Sequence, residues 1–230
     1  MKFKGKWLLD GLKLSTRLVR EQFFPLIGVF IVSCSLNITV EDALQLAGPN
    51  DETQRWVMQI SLGIWGLAEW VLLLLILSWG LPKVHKFKAA DLMQSDTFAT
   101  PYMGSFFAEF FRMIGNFLLW ALLLIIPGFY RYFQLIFMPY FPLLSRSYRE
   151  GHVDAKALSL KLAKGGMFSI FFVMVLTNAL SALCEFAPQI WEDLHILLLR
   201  IFFALLSFLI SVWSYSLIFL MFEDRLQKET

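Results

Sequence analysis

The chain has 230 residues and a formal net charge of +2; 58% of it is hydrophobic, with 24 Phe, 8 Trp and a mean hydropathy of +0.63. A soluble domain cannot bury that much apolar surface, so the composition excludes an ordinary soluble module and indicates a single integral membrane domain with short loops. In such a protein the placement of charges says more than their sum, and nothing here points to nucleic acid.

Residues 1–22, MKFKGKWLLDGLKLSTRLVREQ, read as an amphipathic helix lying in the membrane interface. At 100° per residue Phe3, Trp7, Leu8, Leu12, Leu14, Leu18 and Val19 share one half-circle, while Lys2, Lys6, Asp10, Lys13, Arg17 and Arg20 cluster opposite. Lys4 and Leu9 break the pattern. The basic face either fixes orientation or contacts anionic lipid headgroups through Lys2, Lys6, Lys13, Arg17 and Arg20. The stretch IVSC, ending at Cys34, has the form of a lipoprotein processing box, but the leader is long for one and the segment reads as retained.

Membrane-length runs follow. Residues 23–40 make a first span, and 56–81 a second, interrupted by Glu69. A third helix is expected from Thr100 as N-cap and Pro101 at the first helical position to an end at Ile126. Residues 165–183 and 196–222 make two further spans, and 223–230 a short tail.

Between them lies IIPGFYRYFQLIFMPYFPLLSR, with three prolines and an arginine in an apolar run. Pro127 and Gly128 suit the central positions of a tight turn and are the expected hinge of an antiparallel pair. Residues 129–145 then reach about 25 Å, barely enough for a hydrocarbon core of about 30 Å. If they span, Tyr130, Arg131 and Tyr132 sit at headgroup depth; if the hairpin is re-entrant, Arg131 lies near the midplane at a cost of several kcal/mol. That cost favours spanning, with Pro139 and Pro142 leaving the carbonyls of Leu135 and Met138 without helical donors.

Of the 20 basic residues all but Arg55, Arg131 and Arg200 lie in the N-terminal segment, 83–112, 146–164 and the C-terminal tail. Loops EDALQLAGPNDETQR and CEFAPQIWEDLH carry seven acids and only Arg55. Retention of cations on the inner side therefore orients both termini toward the cytoplasm, as in a bacterial inner-membrane protein.

The chemistry-bearing residues are few. His85, His152 and His195 are too scattered to hold a metal, Gly104-Ser105 opens no nucleophile motif, and no cofactor or enzyme signature is present. A disulfide between Cys34 and Cys184 is conceivable, although two apolar thiols are more often simply packed. Glu69 lies mid-span, where a carboxylate is a functional-site candidate by default. Ser105, Glu109, Arg112 and Asn116 share one face of the third helix, and Arg200, Ala204, Ser207, Ser211 and Ser214 one face of the last. Depth arithmetic lets Glu69 meet Asn116, whereas Arg200 lies nearer the outer surface. Glu69, Glu109, Arg112, Asn116 and Arg200 thus form a candidate polar seam, either a solute or proton pathway or interhelical glue.

Residues 126–172 resemble the middle block of bacterial integral membrane proteins related to the glycerophosphoryl diester phosphodiesterase membrane domain. Pro127-Gly128, Met138 to Tyr140, Asp154, Ala157-Leu158 and Lys164-Gly165 carry the likeness. No phosphodiesterase domain accompanies them, so no catalytic residue is implied. The layout is also similar to sulfate-permease-like inner-membrane proteins with hemi-penetrating hairpins, which implies transport and a re-entrant pair. The expectation is an all-α six-helix bundle over 23–222 behind the interfacial helix. It serves as a membrane scaffold or accessory subunit with lipid, protein or self-association partners, or alternatively as a small-solute or ion permeation protein.

Overall fold

The computed structural model of the chain describes residues 6–46, 52–87, 90, 92, 102–164, 166–190 and 197–229. Apart from one bridge between Leu92 and Ser145, their regular structure is helical. In order come α1 (Lys6–Glu21), α2 (Phe23–Leu46), α3 (Glu52–Val84), α4 (Met103–Leu123), α5 (Ile125–Leu135), α6 (Tyr140–Leu144), α7 (Arg146–Arg149), α8 (Ala155–Ala163), α9 (Met167–Ile190) and α10 (Leu197–Glu229). Five of them, α2, α3, α4, α9 and α10, are long and apolar enough to cross a membrane. The chain is therefore an all-helical polytopic membrane protein. Thr100 and Pro101, the expected start of α4, lie outside the described residues, as do His195 and Lys2.

Helix α1 is part of the packed bundle. Helical hydrogen bonding runs across its junction with α2, from Gln22 N–H to Leu18 O (2.8 Å) and from Leu26 N–H to Gln22 O (3.0 Å). Pro25 has no N–H to return to the Glu21 carbonyl, and the path can bend there. Gly11 lets α1 settle on α10, because a Cβ at that position would overlap Leu217 Cδ2. Gly80 of α3 does the same for Gln22, whose Cγ lies 2.7 Å from where a Cβ would stand. Leu14 and Leu18 are buried and Lys13, Arg17 and Arg20 exposed, as the wheel predicts, but Leu12 is 53% exposed. The buried stripe is centred on Gly11, Leu14, Ser15, Leu18 and Gln22, and Leu12 lies about 100° from it. The side chains of Lys6 and Trp7 lie outside the described residues.

Helices α4 and α5 are antiparallel. The Phe117 ring meets Phe129 and Tyr132 at 5.9 and 5.7 Å, and the Arg131 guanidinium lies 5.1 Å over Trp120. The reversal is made by Leu124, in extended conformation at φ −157°, ψ 128°. This corrects the expected hinge: Pro127 and Gly128 are both inside α5, and Gly128 has no positive φ. Pro127 occupies the first turn, where an N–H has no intrahelical acceptor to lose. Gly128 is needed for close approach, since a Cβ there would lie 2.7 Å from Ala121 Cα. The third helix accordingly ends at Leu123 rather than Ile126.

The expected continuous span over 129–145 is also not formed. Helix α5 stops at Leu135 after 11 residues, and a turn leads to the five-residue α6. The carbonyls expected to be orphaned by proline are satisfied by the tighter turn: Met138 N–H donates to Leu135 O (2.9 Å) and Phe141 N–H to Met138 O (3.3 Å). Residues 135–145 are all buried. Phe137, Tyr140 and Phe141 lie 5.3–5.6 Å from Phe222 of α10, and close one end of the bundle. Arg149 caps this segment, donating to Pro142 O (3.1 Å) and Leu143 O while stacking 4.1 Å over Tyr102.

The same end gathers most of the connections. His85, just after α3, lies 2.7 Å from Glu223 of α10, and Gly166, just before α9, abuts the Arg225 guanidinium. Helix α10 continues through the expected tail to Glu229, so Glu223 is a buried helical residue and not part of a loose terminus.

Candidate functional site

Two polar groups are built into this frame. The first is the predicted face of α4, held against α7 and α8. Glu109, 8% exposed, accepts from Arg112 Nη1 (3.4 Å) and from the Tyr148 hydroxyl (3.2 Å) through Oε1. Arg112 also donates to Asp154 Oδ1 (2.9 Å). Asn116 donates to Arg112 O (2.7 Å) and accepts from Lys156 Nζ (3.3 Å). Ser159 of α8 donates to Gln134 O of α5 (2.9 Å), so α8 seals both limbs of the hairpin. Burial first, and then the neighbouring Glu109, pushes the Tyr148 hydroxyl up to about 12.

Asp154 joins the two parts of this clasp, because its Oδ2 also caps α8 by accepting from Ala157 N–H (3.2 Å). Desolvation raises its pKa, but the Arg112 and Ala157 hydrogen bonds outweigh that and hold it below the ordinary value of 3.8. A depressed carboxyl contributes stability above its unfolded pKa and loses it as pH falls through the folded value. Hydrogen exchange in α8 is therefore expected to accelerate below about pH 4, and Asp154→Asn to show that acceleration already at neutral pH. Exchange in α8 independent of both would contradict the clasp.

The second group surrounds a half-open cavity of about 280 Å³ between α3, α5, α6, α9 and α10. Its polar lining is Tyr132, Tyr140, Thr177, Asn178, Ser181, Ser211, Ser214 and Tyr215, with Trp70 beside them. Thr177 donates to Val173 O (2.9 Å) and lies 3.0 Å from Ser214 Oγ. Ser211 donates to Ser207 O (3.2 Å), and Asn178 to Met174 O (2.7 Å). Ser207 donates to Ser181 Oγ (3.1 Å), tying α9 to α10 below the cavity wall. A second void of about 10 Å³ shares Leu74, Tyr140 and Tyr215 with the first. Into it points Ser78, a buried hydroxyl without a hydrogen-bond partner.

The serine stripe of α10 thus faces inward as its spacing predicts. The rest of the predicted seam is divided. Glu69 is half-buried and precedes the lining residue Trp70. Asn116, expected to meet Glu69, is instead taken by Lys156, because α8 packs on α5 and brings that side chain within reach of α4. Arg200 is half-buried near the start of α10, and neither it nor Asn116 lines the cavity. Thr177, Asn178 and Ser181 escaped the sequence reading, although their spacing along α9 places Thr177 and Ser181 one turn apart on one face. The His85–Glu223 pair was missed as well. Among the described residues there is no cluster that could hold a metal ion and no disulfide between Cys34 and Cys184.

No family model, no curated protein and no solved structure matches the chain. Fold and site stand on their own as those of an all-helical polytopic membrane protein whose bundle encloses a hydroxyl-lined cavity.

Proposed function

We propose that the chain is a permeation or transport protein for a small polar solute, and that the cavity between α3, α5, α9 and α10 is its solute site. One observation carries this: polar side chains from several helices converge on a single void inside a bundle whose outer faces are apolar. Hydroxyls that served only to glue helices would close on one another without leaving about 280 Å³ between them. The scaffold or accessory-subunit reading offers no role for such a void. The exposed basic residues Lys13, Arg17 and Arg20 support contact with anionic lipid, and the distribution of Lys and Arg supports cytoplasmic termini in a bacterial inner membrane.

In this reading α4 and α5 form a re-entrant hairpin. Asn116, Lys156 and Gln134 mark the polar level where α8 seals it, and Leu124 lies eight residues, about 12 Å, beyond Asn116. That depth is less than half of a hydrocarbon core of about 30 Å. Beyond the seal the tip is apolar and open, with Leu122 and Ile126 84–85% exposed, as suits acyl chains rather than headgroups. Arg131 then lies only three residues from Gln134, to whose Oε1 it donates (3.0 Å), and not at the midplane. The cost that favours spanning when the hinge is put at Pro127-Gly128 disappears with the reversal at Leu124.

Glycerol uptake into proteoliposomes tests the function. Ser214→Leu fills the cavity and is expected to slow uptake about tenfold or more, whereas Leu209→Ala on an exposed face leaves it unchanged. Equal rates for wild type and Ser214→Leu would remove the cavity from the pathway.

A further inference from the structure

Resting on that reading, we propose that the cavity selects small organic cations of the ammonium type over anions. The hydroxyl protons decide the sign of its lining. Thr177 and Ser211 donate their hydroxyl protons to carbonyls of their own helices, so these two lining oxygens have only lone pairs to offer a ligand, and the Asn178 amide has one donor taken by Met174 O. A lining of acceptors stabilises a donor or a positive charge. Trp70 and three tyrosines add aromatic rings, whose faces attract ammonium groups. None of the lining residues is basic.

The charged and titratable groups around the space agree. Glu69 of α3 stands next to the lining residue Trp70, and Tyr132 of α5, Tyr140 of α6 and Tyr215 of α10 line the space itself. Glu69 is the one acid among these four, and none of them is basic. An anion would have to rely on three phenol donors with no cationic side chain in the lining, an arrangement opposite to the cationic clamps that hold phosphate or sulfate. The volume, about nine waters at roughly 30 Å³ each, admits a small alkylammonium and excludes a lipid.

Reversal potentials across proteoliposomes containing the full chain test this. Under a gradient of tetramethylammonium chloride the potential is expected to follow the cation, with permeability at least tenfold above chloride, and sodium sulfate outside should shift it little. Trp70→Leu and the isosteric Glu69→Gln should each lower the cation preference several-fold. A potential that follows chloride or sulfate, or a preference unchanged in both variants, would overturn the cation assignment while leaving permeation standing. Absence of movement of every solute, glycerol included, would overturn permeation and this inference together.

Discussion

Gly128→Ala will force the two limbs of the hairpin apart and lower the thermal stability of the purified protein by several degrees. The added methyl would stand 2.7 Å from Ala121 Cα and 2.8 Å from its N and Cβ, so most of what it meets is backbone in the last turn of α4. Backbone cannot rotate away as the tip of a leucine can, and overpacking of this kind costs about 1–3 kcal/mol. Relief would come only from sliding α5 along α4, which also displaces Tyr132 and Ile136 from the cavity wall. Gly115→Ala is the internal control, because nothing lies within 4 Å of a Cβ there. Equal melting temperatures for both variants would mean that the limbs are not in contact at Gly128.

His85→Leu is expected to destabilise the end of the bundle closed by α6 by about 3 kcal/mol, more than the double variant His85→Leu/Glu223→Leu. Glu223 is 4% exposed, whereas His85 lies at the edge. Removing the histidine withdraws a 2.7 Å partner from a buried carboxylate, while removing both replaces the pair by apolar atoms among Phe87, Phe219 and Phe222. The coupling energy from thermal denaturation of wild type, both single variants and the double variant reads this directly. A coupling near zero would reduce the pair to an incidental contact.

What the sequence made legible was set by which forces are local. Membrane-length helices follow from runs of apolar residues, and all five helices of that length fall where the runs predict. The face of α4 bearing Glu109, Arg112 and Asn116 is likewise a matter of periodicity. What it meets is not, because Lys156 and Asp154 reach it only after α8 has folded back. Distance along a span could bring Asn116 to the depth of Glu69 but could not tell which side of the helix faced α3.

Other departures come from reading one residue by its commonest use. Pro-Gly reads as a turn by habit, yet Pro127 is equally at home in a first helical turn and Gly128 where two backbones touch. Glu223 reads as part of a soluble tail because it is charged. The stripe Phe219, Phe222, Glu223 and Leu226, all buried, shows instead that the inward face of α10 runs past it. The cavity was half legible: the serines of α10 announce a close or polar contact, but an open space between helices is a property of how five elements fail to fill it.

The placement of the hairpin decides how deep the cavity lies and how many times the chain crosses the bilayer. Its most direct measurement is labelling of a single cysteine introduced at Leu124, in a background lacking Cys34 and Cys184, by a membrane-impermeant thiol reagent applied from either side. A cysteine at Asp51, in a loop that the distribution of Lys and Arg predicts to be external, is the reference. A re-entrant tip in hydrocarbon predicts that Asp51→Cys is labelled from outside and Leu124→Cys from neither side. Labelling of Leu124→Cys from outside at the rate of Asp51→Cys would contradict it and place the tip of the hairpin at the outer surface.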